Sequence, residues 1–129
     1  MLIIRRAQML ALDRAIDHVL IDRLLRHFRY RRSGLVRDLS DDELRAWVVL
    51  GISRARGYGI TWESNIARFV FRMLDIGPLF DQFPPVRQIL LKPTIPDEEK
   101  MLVIGNTITR AQWAEARQFS ATDWEYQEP

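Results

Sequence analysis

Apolar residues recur at helical spacing along most of the chain, and the most regular stripe lies in residues 62–76. Steps of three and four residues predict an amphipathic helix that buries one face. Thr61 is its predicted N-cap, because a threonine hydroxyl can accept a hydrogen bond from the first turn. Gly77 and Pro78 are a typical end signal. We therefore expect this helix to be the most buried one in the protein. Its apolar stripe consists of Trp62, Ile66, Phe69, Val70, Met73 and Leu74.

Residues 5–32 contain neither Gly nor Pro and predict one long N-terminal helix. Beside its main apolar stripe this helix carries a second one, so its later half is apolar over more than half of the circumference. A surplus apolar strip rimmed by charge is typical of a protein–protein interface. We expect it to receive a second copy of the chain or a helix of another protein; the alternative is that the C-terminal residues cover it. The strip and its rim consist of Leu10, Arg14, Ile21, Leu25 and Arg29.

A capping box, formed by Ser40 and Glu43, predicts that a further helix runs over residues 41–56. Gly51 falls on the apolar face of this helix, where the missing side chain allows a neighbouring helix to approach closely. We therefore expect a tight helix–helix contact at this position.

The last third of the chain predicts three shorter helices, over residues 86–91, 96–104 and 109–118. The third of these opens with a capping box at Thr109 and Gln112. Residues 119–129 then form either a flexible tail, a latch over the bundle or a docking peptide. Trp124 and Tyr126 are the side chains in this tail that we expect to make its contacts.

Together these segments predict an all-α protein, a single-domain bundle of five or six helices over residues 1–129 with one long N-terminal helix. There are no cysteines, which excludes disulfides and cysteine-ligated metal sites. The N-terminus lacks the uninterrupted apolar run of a secretory signal, and no window approaches the length of a membrane span. We expect a soluble, cytoplasmic protein without a membrane partner.

Arginine supplies nearly all of the positive charge, with 17 Arg against two Lys. Residues 1–37 carry nine Arg and three Asp, whereas residues 93–129 carry three basic and seven acidic groups. Phe28 and Tyr30 lie among the first arginines, a composition typical of nucleic-acid binding. Four acidic residues follow at 38–43, however, and the net charge is only +2. We therefore expect no functional nucleic-acid affinity and keep an Arg-rich nucleic-acid binder as an alternative.

Candidate catalytic groups are few. Asp13 and Asp17 lie one turn apart in an apolar sector, and paired carboxylates can do acid–base work, but a solvated position or pairing with arginines accounts for them more simply. His18 and His27 are nine residues apart on one helix, so they point to opposite sides and cannot share a metal ion. The spacings of the common nucleotide, hydrolase, zinc and calcium motifs are missing. We expect no enzymatic activity, no catalytic residue, no metal and no cofactor.

Four stretches have a distinctive composition: Ile-Arg-Arg-Ala-Gln-Met at 4–9, Arg-Ala-Arg-Gly-Tyr-Gly-Ile at 54–60, Leu-Asp-Ile-Gly-Pro-Leu-Phe-Asp at 74–81 and Ile-Thr-Arg-Ala-Gln-Trp at 108–113. In these stretches the chain resembles small all-helical bacterial proteins encoded beside type VI secretion effector modules, in which a PAAR or VgrG protein accompanies a toxin. The resemblance implies an adaptor or co-chaperone that holds a toxin or its chaperone before loading. It implies no catalytic residue.

The sequence therefore predicts a non-enzymatic protein-binding accessory of a type VI secretion effector or its chaperone. One alternative is an immunity protein that neutralises a cognate toxin, and another is the nucleic-acid binder described above. The predicted partner-binding residues are Leu10, Arg14, Ile21, Leu25, Arg29, Trp124 and Tyr126.

Overall fold

A computed structural model of the protein describes residues 18–126, and it describes side chains for residues 18–121. This part of the chain contains helices and no strand, which confirms the predicted all-α class. Single turns of 3₁₀ helix lie at Phe80–Gln82 and Asp97–Glu99. The α-helices of the described residues are α1 (His18–Arg31), α2 (Ser33–Val36), α3 (Asp41–Gly57), α4 (Glu63–Asp75), α5 (Pro84–Leu90), α6 (Lys100–Thr107) and α7 (Arg110–Tyr126).

These described residues already hold seven helices rather than the five or six that the sequence predicted. The additional one is α2, a single turn that forms where only the end of the first helix was expected. The backbone leaves the helical region at Arg32, where φ is −131°, and this residue separates α1 from α2. The predicted N-terminal helix over 5–32 ends as expected at its C-terminal side, while its residues 5–17 lie outside the described part.

The buried face of α4 forms the centre of the bundle. Ile66, Phe69, Val70 and Met73 have no exposed surface, which confirms four of the six predicted stripe residues as core. Phe69 also contacts two other rings: its centroid lies 4.8 Å from Phe80 and 6.0 Å from Tyr58. Two of the stripe assignments need correction, because Trp62 is 64% exposed and Leu74 is only partly buried.

Helix α3 packs along α4, and Gly51 lies in their contact. A Cβ atom added there would sit 2.6 Å from Val70 Cγ2 and 3.1 Å from Met73 Sδ. The 2.6 Å carbon–carbon distance is too short to be tolerated and the contact with the Met73 sulfur would be tight, so glycine at this position allows the two helices to approach as they do. The predicted close helix approach at Gly51 is confirmed.

Both predicted capping boxes are present. The amide of Glu43 donates to the Ser40 hydroxyl over 3.1 Å, and the Ser40 amide donates to the Glu43 carboxylate over 3.0 Å. At the start of α7 the amide of Gln112 donates to the Thr109 hydroxyl and the Thr109 amide donates to the Gln112 side chain. Local sequence is sufficient to define these two helix starts.

The cap of α4 is different from the predicted one. Trp62 occupies the N-cap position, and the carboxylate of Glu98, from the 3₁₀ turn before α6, accepts hydrogen bonds from the amides of Thr61 and Trp62 over 2.8 Å and 3.2 Å. The hydroxyl of Thr61 donates to the same carboxylate over 2.9 Å, so it does not cap the helix. Asn65, which is buried, donates its side-chain amide to the Glu98 side chain and carbonyl. A residue distant in sequence therefore caps α4.

The two C-terminal helices end later than predicted, and α6 also begins later, at Lys100 after the 3₁₀ turn instead of at residue 96. Helix α6 continues through Gly105 and Asn106 to Thr107, and α7 continues past Gln118 to Tyr126. Ser120 on α7 is buried against the loop after α4, and its hydroxyl accepts a hydrogen bond of 2.9 Å from the Leu79 amide. This contact explains why α7 remains helical beyond the predicted end.

None of the helices in the described region is both long and apolar enough to cross a membrane.

Candidate partner-binding surfaces

Ile21, in the middle of the predicted apolar strip on the first helix, is buried and is not part of the protein surface. Ile21 has no exposed area and belongs to the hydrophobic core, which α1 forms with α3. Its assignment to a partner site is therefore wrong. Leu25 is partly buried and lines a shallow hollow between α1 and the start of α3, together with Asp22, Tyr30 and Asp41.

Arg29, predicted to lie at the charged rim of that strip, instead makes hydrogen bonds within the protein. Its guanidinium donates to the carbonyl oxygens of Val36 and Leu39 over 2.9 Å and 2.7 Å, and it contacts the Asp41 carboxylate at 2.9 Å. These bonds tie the end of α1 to the connection between α2 and α3. Because its donors are used inside the protein, Arg29 has a structural role that the sequence did not predict.

The other predicted partner residues cannot be placed. Leu10 and Arg14 lie outside the described residues, as do Asp13 and Asp17, the two carboxylates with potential acid–base chemistry. The backbone at Trp124 and Tyr126 belongs to α7, and their side chains lie outside the described part. The predicted role of these residues therefore stays a prediction.

A different surface emerges where α1 meets α4. Its walls are formed by Arg23, His27 and Arg32 on one side and by Arg68 and Phe71 on the other. We call this the arginine groove. On α4, Arg68 and Phe71 are three residues apart and lie on the side opposite the buried stripe. The floor contains the short side chain of Ala67 beside Leu24, two residues that also reach the core.

The positive charge of the arginine groove is only partly balanced. Arg23 pairs with Glu63 across the groove at 3.2 Å. Within the described side chains, no carboxylate lies within ion-pairing distance of Arg32 or Arg68. Arg68 donates to the Asn65 side-chain oxygen over 2.8 Å, which leaves further guanidinium donors available. Unpaired guanidinium groups beside an apolar floor favour an acidic ligand.

The arginine groove continues across α4 towards α6. Arg72 lies in this extension, which α6 lines with Leu102, and the Arg72 guanidinium carbon is 5.3 Å from the Phe71 centroid and 4.4 Å from the Trp113 ring. The guanidinium of Arg32 lies 4.7 Å from the Phe71 centroid. Burial lowers the pKa of Arg72, and the charge of Asp75 opposes that shift; an arginine stays charged at neutral pH even so. The extension therefore adds a cation and an apolar surface.

A second cluster of polar side chains lies in the interior. Arg54 at the end of α3 forms an ion pair with Asp81 and also donates to the carbonyl of Pro78. Tyr58 donates its hydroxyl to Asp81 over 2.8 Å, and Gln82 donates to the same carboxylate over 3.1 Å. Burial, and then the charge of Asp81, raise the pKa of Tyr58 to about 12. The phenol therefore stays protonated at neutral pH and keeps its role as a donor.

This interior cluster joins two stretches that the sequence analysis singled out, 54–60 and 74–81. Each of its members contacts another member, so the groups satisfy one another in the folded chain. The arrangement cross-links the end of α3 to the loop after α4 and has the character of a scaffold. Among the described residues, no three His, Asp or Glu side chains are arranged to hold a metal ion.

The arginine groove and the interior cluster were both missed from the sequence. The groove needs the spatial pairing of α1 with α4, whose contributing residues are about forty positions apart, and nothing local encodes it. A signal for the cluster existed, because Asp81 lies in an otherwise apolar, aromatic loop. Burial of a carboxylate requires a partner, and the arginines of 54–60 were among the candidates, although Arg72 and Arg87 lie closer to Asp81 in the chain.

No protein family, curated protein or solved structure matches this chain.

Proposed function

We propose that this chain is a non-enzymatic protein-binding accessory, an adaptor or co-chaperone of a type VI secretion effector or of that effector's chaperone. In this role it acts in the cytoplasm, where it holds its partner before loading. The association with type VI secretion rests on the sequence resemblance, and the partner-binding role also draws support from the surface of the bundle.

The stretches that carry the resemblance and lie in the described part of the chain form contacts inside the protein. Arg54 and Tyr58 of the stretch 54–60 contact Asp81 of the stretch 74–81. Trp113 of the stretch 108–113 is buried beneath Arg72. Residues used in this way determine a fold rather than a reaction. A protein whose distinctive residues hold its interior is expected to act through its surface.

The observation that carries the proposal is the arginine groove. It combines the guanidinium groups of Arg32 and Arg68, which have no carboxylate partner among the described side chains, with the partly buried ring of Phe71. Arg and aromatic side chains are enriched where proteins bind one another. An enzyme would instead need an activated nucleophile, a base or a metal in a concave site. The described lining of the groove contains His27, Ser64 and Glu63, but Glu63 is ion-paired with Arg23 and no hydrogen bond joins Ser64 to His27.

The test is co-expression of the chain with the type VI effector encoded beside its gene and, separately, with the chaperone of that effector. The proposal predicts a complex of defined stoichiometry in size-exclusion chromatography with one of the two. If neither forms a complex, the accessory role is wrong.

The same preparations separate the accessory from an immunity protein. An accessory leaves the toxin's enzymatic activity unchanged when the purified chain is added in excess, whereas an immunity protein abolishes that activity. Inhibition at one chain per toxin would replace our proposal with the immunity role.

A further inference from the structure

We propose that the arginine groove receives an acidic segment of the protein partner, which places carboxylates on Arg32 and Arg68 and an apolar side chain against the edge of Phe71. This inference deepens the proposed function and rests on it. It specifies the chemistry of the partner: a peptide segment that alternates acidic with aliphatic or aromatic residues.

Charge complementarity is the first argument. The groove and its extension hold four guanidinium groups, from Arg23, Arg32, Arg68 and Arg72. Two carboxylates oppose them, Glu63 on Arg23 and Asp75 near Arg72, at 3.2 Å and 4.0 Å. The two central arginines therefore have planar, forked donors that a carboxylate can engage through two parallel bonds. An acidic segment completes the pairing that the fold leaves open.

The apolar surface is the second argument, and it favours a peptide over a nucleic acid. Leu102 on α6 is 49% exposed beside the groove extension, and Phe71 in the wall of the arginine groove and Ala67 in its floor are only partly buried. Guanidinium groups already lie over the Phe71 ring, so a nucleobase would have to displace one in order to stack there. A leucine or phenylalanine of a peptide needs only the ring edge and the Leu102 side chain.

The test measures fluorescence anisotropy of a labelled synthetic peptide that alternates Glu with Leu around a central Phe, at physiological salt. Its twin carries Gln in place of every Glu, and a single-stranded oligo-dT of similar length reports nucleic-acid binding. We expect the acidic peptide to bind about tenfold more tightly than the twin and more tightly than oligo-dT. Equal binding of the twin, or preferred binding of oligo-dT, would overturn the inference.

Matched variants localise the binding. Arg32→Ala combined with Arg68→Ala should weaken the acidic peptide about tenfold, while Arg31→Ala combined with Arg37→Ala removes the same charge from exposed positions outside the groove and should have little effect. Arg32→Lys with Arg68→Lys keeps the charge and loses the forked geometry, so intermediate binding is expected. Equal losses in the alanine pairs would contradict the assignment to this groove.

Two further results separate this inference from the proposed function. If the chain binds its effector or chaperone and the Arg32→Ala, Arg68→Ala variant binds equally well, the groove assignment fails while the accessory role stands. If sedimentation shows that the chain self-associates and that this variant does not, the occupant is a second copy and the inference fails. Loss of the natural complex only in the groove variant supports it.

Discussion

The partly buried Arg54 and the exposed pair Arg32 and Arg68 show that arginine can stabilise the interior in one place and offer a binding surface in another. Arg54 is largely enclosed, with 20% of its side chain exposed, and its ion-pair partner Asp81 is 2% exposed. Arg32 and Arg68 lie at the surface of the arginine groove and have no carboxylate partner within the described residues. The first arginine connects α3 to the loop after α4, whereas the other two are free to bind something else.

The difference between these sites is energetic. Removing one member of a buried ion pair leaves an uncompensated charge in the interior and is strongly destabilising. Removing an exposed arginine that has no carboxylate partner costs the fold less, even where, as at Arg68, a hydrogen bond to Asn65 is lost. Stability measurements should therefore report on the interior set, and binding measurements should report on the groove.

The largest loss of stability is expected in the core beside the interior cluster. Phe69→Ala removes a fully buried ring that contacts Phe80 and Tyr58, and it should lower the free energy of unfolding by about 3–5 kcal/mol. Urea unfolding monitored by circular dichroism measures this change. A loss below about 1 kcal/mol would show that α4 is not the centre of the core. Trp62→Ala at the exposed end of the same stripe is the control and should cost far less.

Breaking the interior ion pair should come next. Asp81→Ala leaves Arg54 without its carboxylate and should cost about 3 kcal/mol, the lower end of the range for buried pairs, because Arg54 retains some exposure. In an Arg54→Ala background the same substitution should cost clearly less, since the charge to be compensated is gone. Equal costs in the two backgrounds, measured by urea unfolding, would mean that the pair is not coupled.

The phenol of Tyr58 gives the cluster a pH dependence at alkaline pH. Its pKa is raised in the folded protein to about 12, so its contribution to stability is complete below the unfolded value near 10 and is lost as the pH rises through about 12. Tyr58→Phe should cost about 1 kcal/mol at pH 7, and its difference from the wild type should shrink between about pH 10 and pH 12. A constant difference over that window would contradict the assignment.

Glu98 gives the stability of the protein a smaller pH dependence, at acidic pH. Its partial burial raises its pKa, but hydrogen bonds from Asn65, Thr61 and Trp62 outweigh this and lower the pKa overall. The stabilisation is therefore present above the unfolded value and disappears as the pH falls through the folded one.

At neutral pH, Glu98→Gln should cost about 0.5–1 kcal/mol, a modest value because the carboxylate remains partly exposed. The difference from the wild type should shrink as the pH falls below the unfolded value and through the lowered folded pKa, as judged from the urea midpoint. Glu115→Gln, an exposed position on α7, is the matched control. A cost that is independent of pH would rule out the charged cap.

Features of the fold that depend on neighbouring residues were predictable. The capping boxes at Ser40 and Thr109 define two helix starts, and the glycine at position 51 marks the close contact of α3 with α4. Each of these signals lies within a single turn of the chain. The sequence around each position is therefore enough to predict these features.

Features that depend on tertiary contacts were not predictable. The sequence around Thr61 predicts a cap there, because nothing in this stretch shows that Glu98, from a later turn, binds the Thr61 amide and hydroxyl. Ile21 was assigned to a surface because helical periodicity shows which residues share a face and not how many neighbours cover it. The arginine groove is of the same kind: its cations are ordinary polar positions on α1, at Arg32 after α1 and on α4, and only the folded chain brings them together.

The central claim is that the groove arginines bind the partner and do not hold the fold. It is tested most directly by one paired measurement on the Arg32→Ala, Arg68→Ala variant: its unfolding free energy and its affinity for the effector or chaperone. We predict that stability falls by no more than about 1.5 kcal/mol, because Arg68 gives up its hydrogen bond to Asn65, while affinity falls about tenfold. Loss of stability by several kcal/mol, or unchanged affinity in a folded variant, would contradict the account.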